Sequence, residues 1–128
     1  MPGAVYVLGQ LIGAVVFCVP LLVWGEMGRS VAFGATVPGQ TWPVRTALLG
    51  EIVTTFCLIA YLCVFIGIRQ LRRFTPAFIP VLYAVMSYYE APISGTSTNP
   101  ARTLGPAVIA GAWHGWWVYW LGPALGAL

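Results

Sequence analysis

Apolar positions along this chain gather into four runs, separated by short stretches rich in glycine, proline and polar residues. The first, residues 4–24, and the second, residues 46–68, each come close to the ~20 residues that an α-helix needs to cross ~30 Å of hydrocarbon. The third, residues 76–93, is shorter and carries Pro80 and Pro92. The fourth, residues 116–128, reaches only roughly 20 Å at a rise of ~1.5 Å per residue, so the chain is expected to stop inside a helix.

Between the third and fourth runs, residues 99–110 form neither a loop nor a full span. As a helix this stretch measures roughly 18 Å, about half of the hydrocarbon thickness. Asn99 followed by Pro100 reads as an N-cap and a first-turn proline, and Gly111 reads as a stop. The free N–H groups at the start of such a half-length helix cannot face lipid. They are tolerated where they border a water-filled cavity, so this pattern implies an aqueous path. Arg102, one turn into that helix, costs several kcal/mol at bilayer depth unless it faces water or a partner, which places it on the same path.

Composition strengthens the membrane reading. Of 128 residues, 59% are hydrophobic and 7% are charged, against about 25% charged in a soluble domain. The net charge of +3 comes from arginine alone. Six scattered arginines do not form a groove that could track phosphates, so no nucleic-acid partner is expected. Arg69, Arg72 and Arg73 cluster in a short connector, 69–73, which should be cytoplasmic. The longer Gly- and Pro-rich connector, 25–45, should then face outward between Trp24 and Trp42, and 94–115 should lie on the same outer side. Trp113, Trp116, Trp117 and Trp120 read as interfacial anchors, and so does His114. Cys18, Cys57 and Cys63 have no metal-ligand spacing and read as small hydrophobes in a packed interior. Gly9 with Gly13, and Gly122 with Gly126, have the spacing of close helix crossings. No phosphate loop, metal cluster, catalytic carboxylate pair or Ser/His/Asp arrangement is present in the sequence, so neither enzyme activity, a metal nor a cofactor is expected.

The stretch Asn99-Pro100-Ala101-Arg102 resembles the second Asn-Pro-Ala signature of the major intrinsic proteins, the aquaporins and their relatives. Tyr6-x-x-x-Gln10-x-x-Gly13-Ala14 resembles that family's third helix and Glu51-x-x-x-Thr55-Phe56 its fourth. Residues 76–93 resemble the fifth helix, and Trp117-Val118-Tyr119-Trp120-x-Gly122-Pro123 the sixth. The expected fold is an all-α, aquaporin-like membrane protein of four transmembrane helices, the last cut short, plus one re-entrant half-helix. Counterparts of the first two helices and of the first Asn-Pro-Ala are not found, so the chain is expected to be a fragment or one half of a split channel.

The resemblance implies passive permeation of water and of small neutral solutes such as glycerol, urea or metalloid acids, with ions and protons excluded. Asn99, Pro100 and Ala101 would be the pore signature, with the Asn99 amide offered to the passing molecule. The positive end of the half-helix, roughly +0.5 of a charge, repels cations and orients water. Arg102, Thr96 and Ser87 would form the selectivity filter. Serine at position 87 is smaller than the histidine usual in strict water channels, and Thr103 stands where the glycerol branch has aspartate. Glu51, Gln10, Gly95 and Ser97 would support the pore loop, with the Glu51 carboxylate accepting N–H bonds from residues 95–98. Glu90 is expected at the outer mouth or a subunit contact, and its helical position does not obviously face Glu51. The resemblance further implies a homotetramer within a lipid bilayer, and the location expected is a bacterial inner membrane. Two rival functions remain open: a proton-coupled transporter that uses Glu51, and a non-conducting half-channel that needs its missing half.

Overall fold

The computed structural model describes residues 2–128. Among these residues every regular element is helical: α1 (Pro2–Cys18), α2 (Gly25–Ser30), α3 (Val44–Gly67), α4 (Thr75–Glu90), α5 (Pro100–Ala110) and α6 (Val118–Gly126), with short 3-10 segments at Val19–Trp24, Ala32–Gly34 and Arg72–Phe74. Two helical runs, Gly3–Ser30 and Val44–Gly67, are long and apolar enough to cross a membrane.

The bounds differ from the sequence reading in ways with physical causes. The first run does not stop at Trp24. Pro20, lacking an N–H, opens a 3-10 segment at Val19–Trp24, and α2 continues the helical course to Ser30. An exposed Arg29–Glu26 pair at 2.5 Å joins residues three apart on α2. The connector to α3 therefore begins after Ser30. The third run ends at Glu90, not at Ile93. Pro92 has no N–H to offer the next turn, and the Glu90 carbonyl instead takes the N–H groups of Ile93 at 2.8 Å and Ser94 at 3.1 Å. The last helix begins at Val118, after Gly115 turns at φ +63 against the Pro38 ring.

The distribution of side chains is inverted relative to a water-soluble fold. Large apolar residues point outward, among them Leu8, Ile12, Phe17 and Val23 on the first helical run, Val53 and Phe56 on α3, and Val81 and Val85 on α4. The buried set is dominated by polar groups: Glu51, Thr54, Thr55, Glu90, Ser94, Thr96, Ser97, Thr98 and Thr103. Outward apolar side chains are stable where the surroundings are lipid or another apolar surface, and inward polar groups must then find one another.

Two helix pairs frame the interior. α3 packs along α6, where a Cβ on Gly122 would lie 2.6 Å from Cβ of Glu51 and one on Gly126 would lie 2.5 Å from the Ile52 carbonyl oxygen. α1 packs against α5, where a Cβ on Gly105 would stand 2.4 Å from the Ala14 carbonyl oxygen and 2.8 Å from Sγ of Cys18. Small residues thus set both crossings. At Gly9 and Gly13 a Cβ would meet nothing within 4 Å among the described residues. Cys57 and Cys63 sit on the exposed surface of α3, not in the packed interior, while Cys18 is half-buried beside α5.

Candidate functional site

The start of α5 is built by local chemistry. Asn99 stays extended at φ −152°, and its Oδ1 accepts the Ala101 N–H at 2.9 Å. Pro100 supplies a preset φ and has no N–H to leave unpaired. Gly111 closes the helix in the left-handed region at φ 66°, so α5 comprises 11 residues, roughly 17 Å at ~1.5 Å per residue.

The loop that delivers the chain to Asn99 is strained. Gly95 sits at φ +90°, which glycine adopts freely, but Thr96 at φ 50° and Thr98 at φ 53° are β-branched residues in the left-handed region. Such conformations cost of order 1–3 kcal/mol each and persist only where the surroundings fix them.

Glu51 is what fixes them. Its side chain is fully buried on α3. The Ser97 N–H donates to Oε1 and the Thr98 N–H to Oε2, each at 2.7 Å, and the Ser94 hydroxyl donates to Oε1 at 2.6 Å. Hydrogen bonds to a carboxylate contribute about 1.5–3 kcal/mol each, enough to offset the backbone strain. The Tyr119 hydroxyl of α6 donates to the Ser94 carbonyl at 2.5 Å and closes the cluster from the other side.

A second chain of hydroxyls ties the loop to α5. The Ser97 hydroxyl donates to the Asn99 carbonyl at 2.9 Å, which leaves its oxygen to accept from Thr103 at 2.6 Å. Thr103 can then accept in turn from Thr36, also at 2.6 Å. Each hydroxyl has a single proton, so the order of donation is set by the first bond.

Other residues expected at the site fall in different places. Asn99 is exposed and so is Arg102, whose Nη1 donates to the Gly34 carbonyl at 3.2 Å. Ala101 is half-buried. Thr96 is buried, and its Oγ1 has no hydrogen-bond partner. Ser87 is exposed on α4. Gly95 lies against Thr36, where a Cβ would stand 3.0 Å from its Cγ2. Gln10 is not brought to the loop. It is exposed on α1 and has no side-chain hydrogen bond among the described residues, while Ala14 and Cys18, one and two turns on, make the contact with α5.

Glu90 corrects the sequence reading most. It is buried, and it does face Glu51, because the Ser94 hydroxyl contacts both carboxyls. Gly50 makes room for it: a Cβ there would lie 2.7 Å from Oε1 of Glu90. Ser94, Thr36, Thr103 and Tyr119 were also missed as site residues. The only signals for Glu90 were Ser94 four residues on and a glycine just before Glu51. Thr36, 67 residues from Thr103, had none.

The arrangement presents the positive end of a half-length helix, with an exposed amide and an exposed guanidinium, on a scaffold of buried polar bonds. It leaves fixed donors exposed, and among the described residues no three His, Cys, Asp or Glu side chains gather to hold a metal ion.

Comparison with known proteins agrees with this architecture. The family description "Major intrinsic protein" matches residues 1–128. Aquaporin TIP4-4 of Zea mays is 37% identical over 128 residues, covering 96% of this chain and 49% of that protein. Aquaporin NIP2-2 of Zea mays is 34% identical over 125 residues (96% and 41%), and Nodulin-26 of Glycine max is 34% identical over 124 residues (96% and 45%). The chain thus spans about half the length of these relatives. All three are plant proteins, which gives no support to a bacterial inner membrane. An all-helical chain with outward apolar faces, a half-length helix capped by Asn99 and these relatives lead to one conclusion: this protein is an integral membrane protein that belongs to the major intrinsic protein family.

Proposed function

We propose that this chain forms the second half of a channel wall through which water and small neutral solutes permeate passively, while ions and protons are rejected. The observation that carries the reading is α5. It is half the length of a membrane span and begins at an exposed Asn99 with Arg102 exposed one turn in, and the loop before it is anchored on buried Glu51. Around such a terminus a neutral water is oriented, oxygen toward the donors, whereas a hydrated proton meets the positive helix end and the Arg102 charge.

In this reading Asn99, Pro100 and Ala101 shape the midpoint, Arg102, Thr96 and Ser87 form the filter, and Glu51, Gly95 and Ser97 support the loop. The small Ser87 favours a filter wide enough for solutes larger than water. The basic 69–73 connector faces the cytoplasm, and the complete protein assembles as a homotetramer with one pore per subunit.

The test is osmotic swelling of vesicles that contain the assembled channel. Permeability well above that of protein-free lipid is expected, and equality with protein-free lipid rejects the proposal. One observation favours a second reading, a proton-coupled transporter: the contact of Glu51 with Glu90 through Ser94. Solute flux that follows an imposed proton gradient would select it.

A further inference from the structure

Ser94 stands between two buried carboxyls, and its hydroxyl has only one proton to give. Its Oγ contacts Oε1 of Glu51 at 2.6 Å and also Oε1 of Glu90. If both groups were anions, one of these contacts would join two acceptors with no proton between them. Two anions forced on one hydroxyl in a water-poor interior also repel strongly. The cluster therefore holds one more proton than the hydroxyl supplies.

The bonding pattern says where it resides. Glu51 accepts three donors: Ser94 and the N–H groups of Ser97 and Thr98. A carboxylate suits such a site and an acid does not. Glu90 is less well supplied: the Thr96 hydroxyl and N–H lie beside it, but neither Oε2 of Glu90 nor the Thr96 hydroxyl finds a partner at hydrogen-bond distance. Ser94, moreover, cannot serve Glu51 and Glu90 as donor at once.

We infer that Glu90 is a neutral acid, a positioning residue whose O–H donates to Ser94 so that Ser94 can donate to Glu51 and hold the 94–98 loop in place. The consequence for flux rests on the channel reading above. When Glu90 loses its proton to solvent, Ser94 faces two anions and can satisfy one. The loop that leads to Asn99 then loses its seat, and permeation falls. The titratable and charged groups that act on this cluster are few. Glu51 comes from α3 and Tyr119 from α6, and the cation that acts on Tyr119 is Arg102 of α5. The 94–98 loop contributes no charged or titratable side chain, and Tyr88 and Tyr89 of α4 itself are exposed.

Infrared difference spectroscopy of the chain in lipid tests the proton directly. The chain has three acidic side chains, Glu26, Glu51 and Glu90, so assignment is simple. A protonated-carboxyl C=O band at neutral pH that is absent from Glu90→Gln is expected. No such band, or one that survives in Glu90→Gln, overturns the inference. Should Glu90→Gln fail to fold, Ser94→Ala must shift the band, because the acceptor for the Glu90 proton is gone, and an unmoved band overturns it equally. For the assembled channel in vesicles, permeability should fall about tenfold per pH unit on the alkaline side, the slope of one essential proton. In Glu90→Gln, which keeps a donor at every pH, that slope should vanish. A wild-type profile flat to alkaline pH overturns the positioning role. A channel silent at every pH rejects the permeation reading instead, and the infrared band still decides where the proton lies.

Discussion

Thr96 combines two unfavourable features, a β-branched residue at φ 50° and a buried hydroxyl without a partner. Neither feature touches the two N–H bonds that Glu51 receives from Ser97 and Thr98. Removing the side chain should therefore relieve strain and leave the loop anchored. Relief of a left-handed β-branched residue gives of order 1–3 kcal/mol, and the added freedom of glycine in the unfolded chain takes back roughly 0.5–1 kcal/mol. Thr96→Gly should raise stability by about 1 kcal/mol, read as a higher thermal midpoint in detergent. A lower midpoint would mean that the Thr96 side chain makes a contact that holds the loop. The residue scale is also where the sequence was least legible. Asn99, Pro100 and Gly111 announce their roles through backbone chemistry that is local to them. The partners of Glu51 and Glu90 depend on which turn of α3 meets which turn of α4, and no local pattern encodes that. A glutamate within an apolar helix requires donors, and this much could be read for Glu51. The burial of Glu90 could not, because it depends on the missing side chain of Gly50 on a different helix.

At the scale of elements, the half-length of α5 matters only if its seat on α1 is close. Gly105 provides that seat, and its missing side chain lets the backbone of α5 approach the Ala14 carbonyl. A methyl there would lie 2.4 Å from that oxygen, a backbone atom that cannot turn away, so the helices must separate. Overpacking of this kind costs about 1–3 kcal/mol. Gly105→Ala should lower the thermal midpoint accordingly, although alanine is the better helix former by about 1 kcal/mol in isolation. An unchanged or raised midpoint would show that α1 and α5 are free to part. The elements were legible because membrane-length apolar runs and a capped half-helix are coarse signals. Their ends were less so. The 3-10 segment after Pro20 lets the first run continue to Ser30, and Pro92 cuts α4 back to Glu90. Spacing identified Gly122 and Gly126 as a crossing, while Gly9 and Gly13 meet no described element, since small residues permit a close approach without specifying a partner.

For the whole molecule, the inverted layout of apolar outside and polar inside is the property from which the others follow. It makes the buried Glu51 cluster necessary, since polar groups with no water to turn to must pair among themselves. It also sets the environment of the outer face, and Cys57 reports on that face. It lies in the middle of α3, exposed, next to the exposed Phe56. If water lay there, a thiol reagent dissolved in it would reach the exposed side chain directly. Against lipid or an apolar partner surface the thiol is out of reach of a reagent confined to water. In vesicles, a variant with Cys18→Ala and Cys63→Ala should therefore resist a water-soluble maleimide, and the same sample should label fully once dissolved and unfolded in SDS. Labelling in the intact bilayer as fast as in SDS would put water on the outer face of α3, and the polar interior would then have to be explained without a membrane.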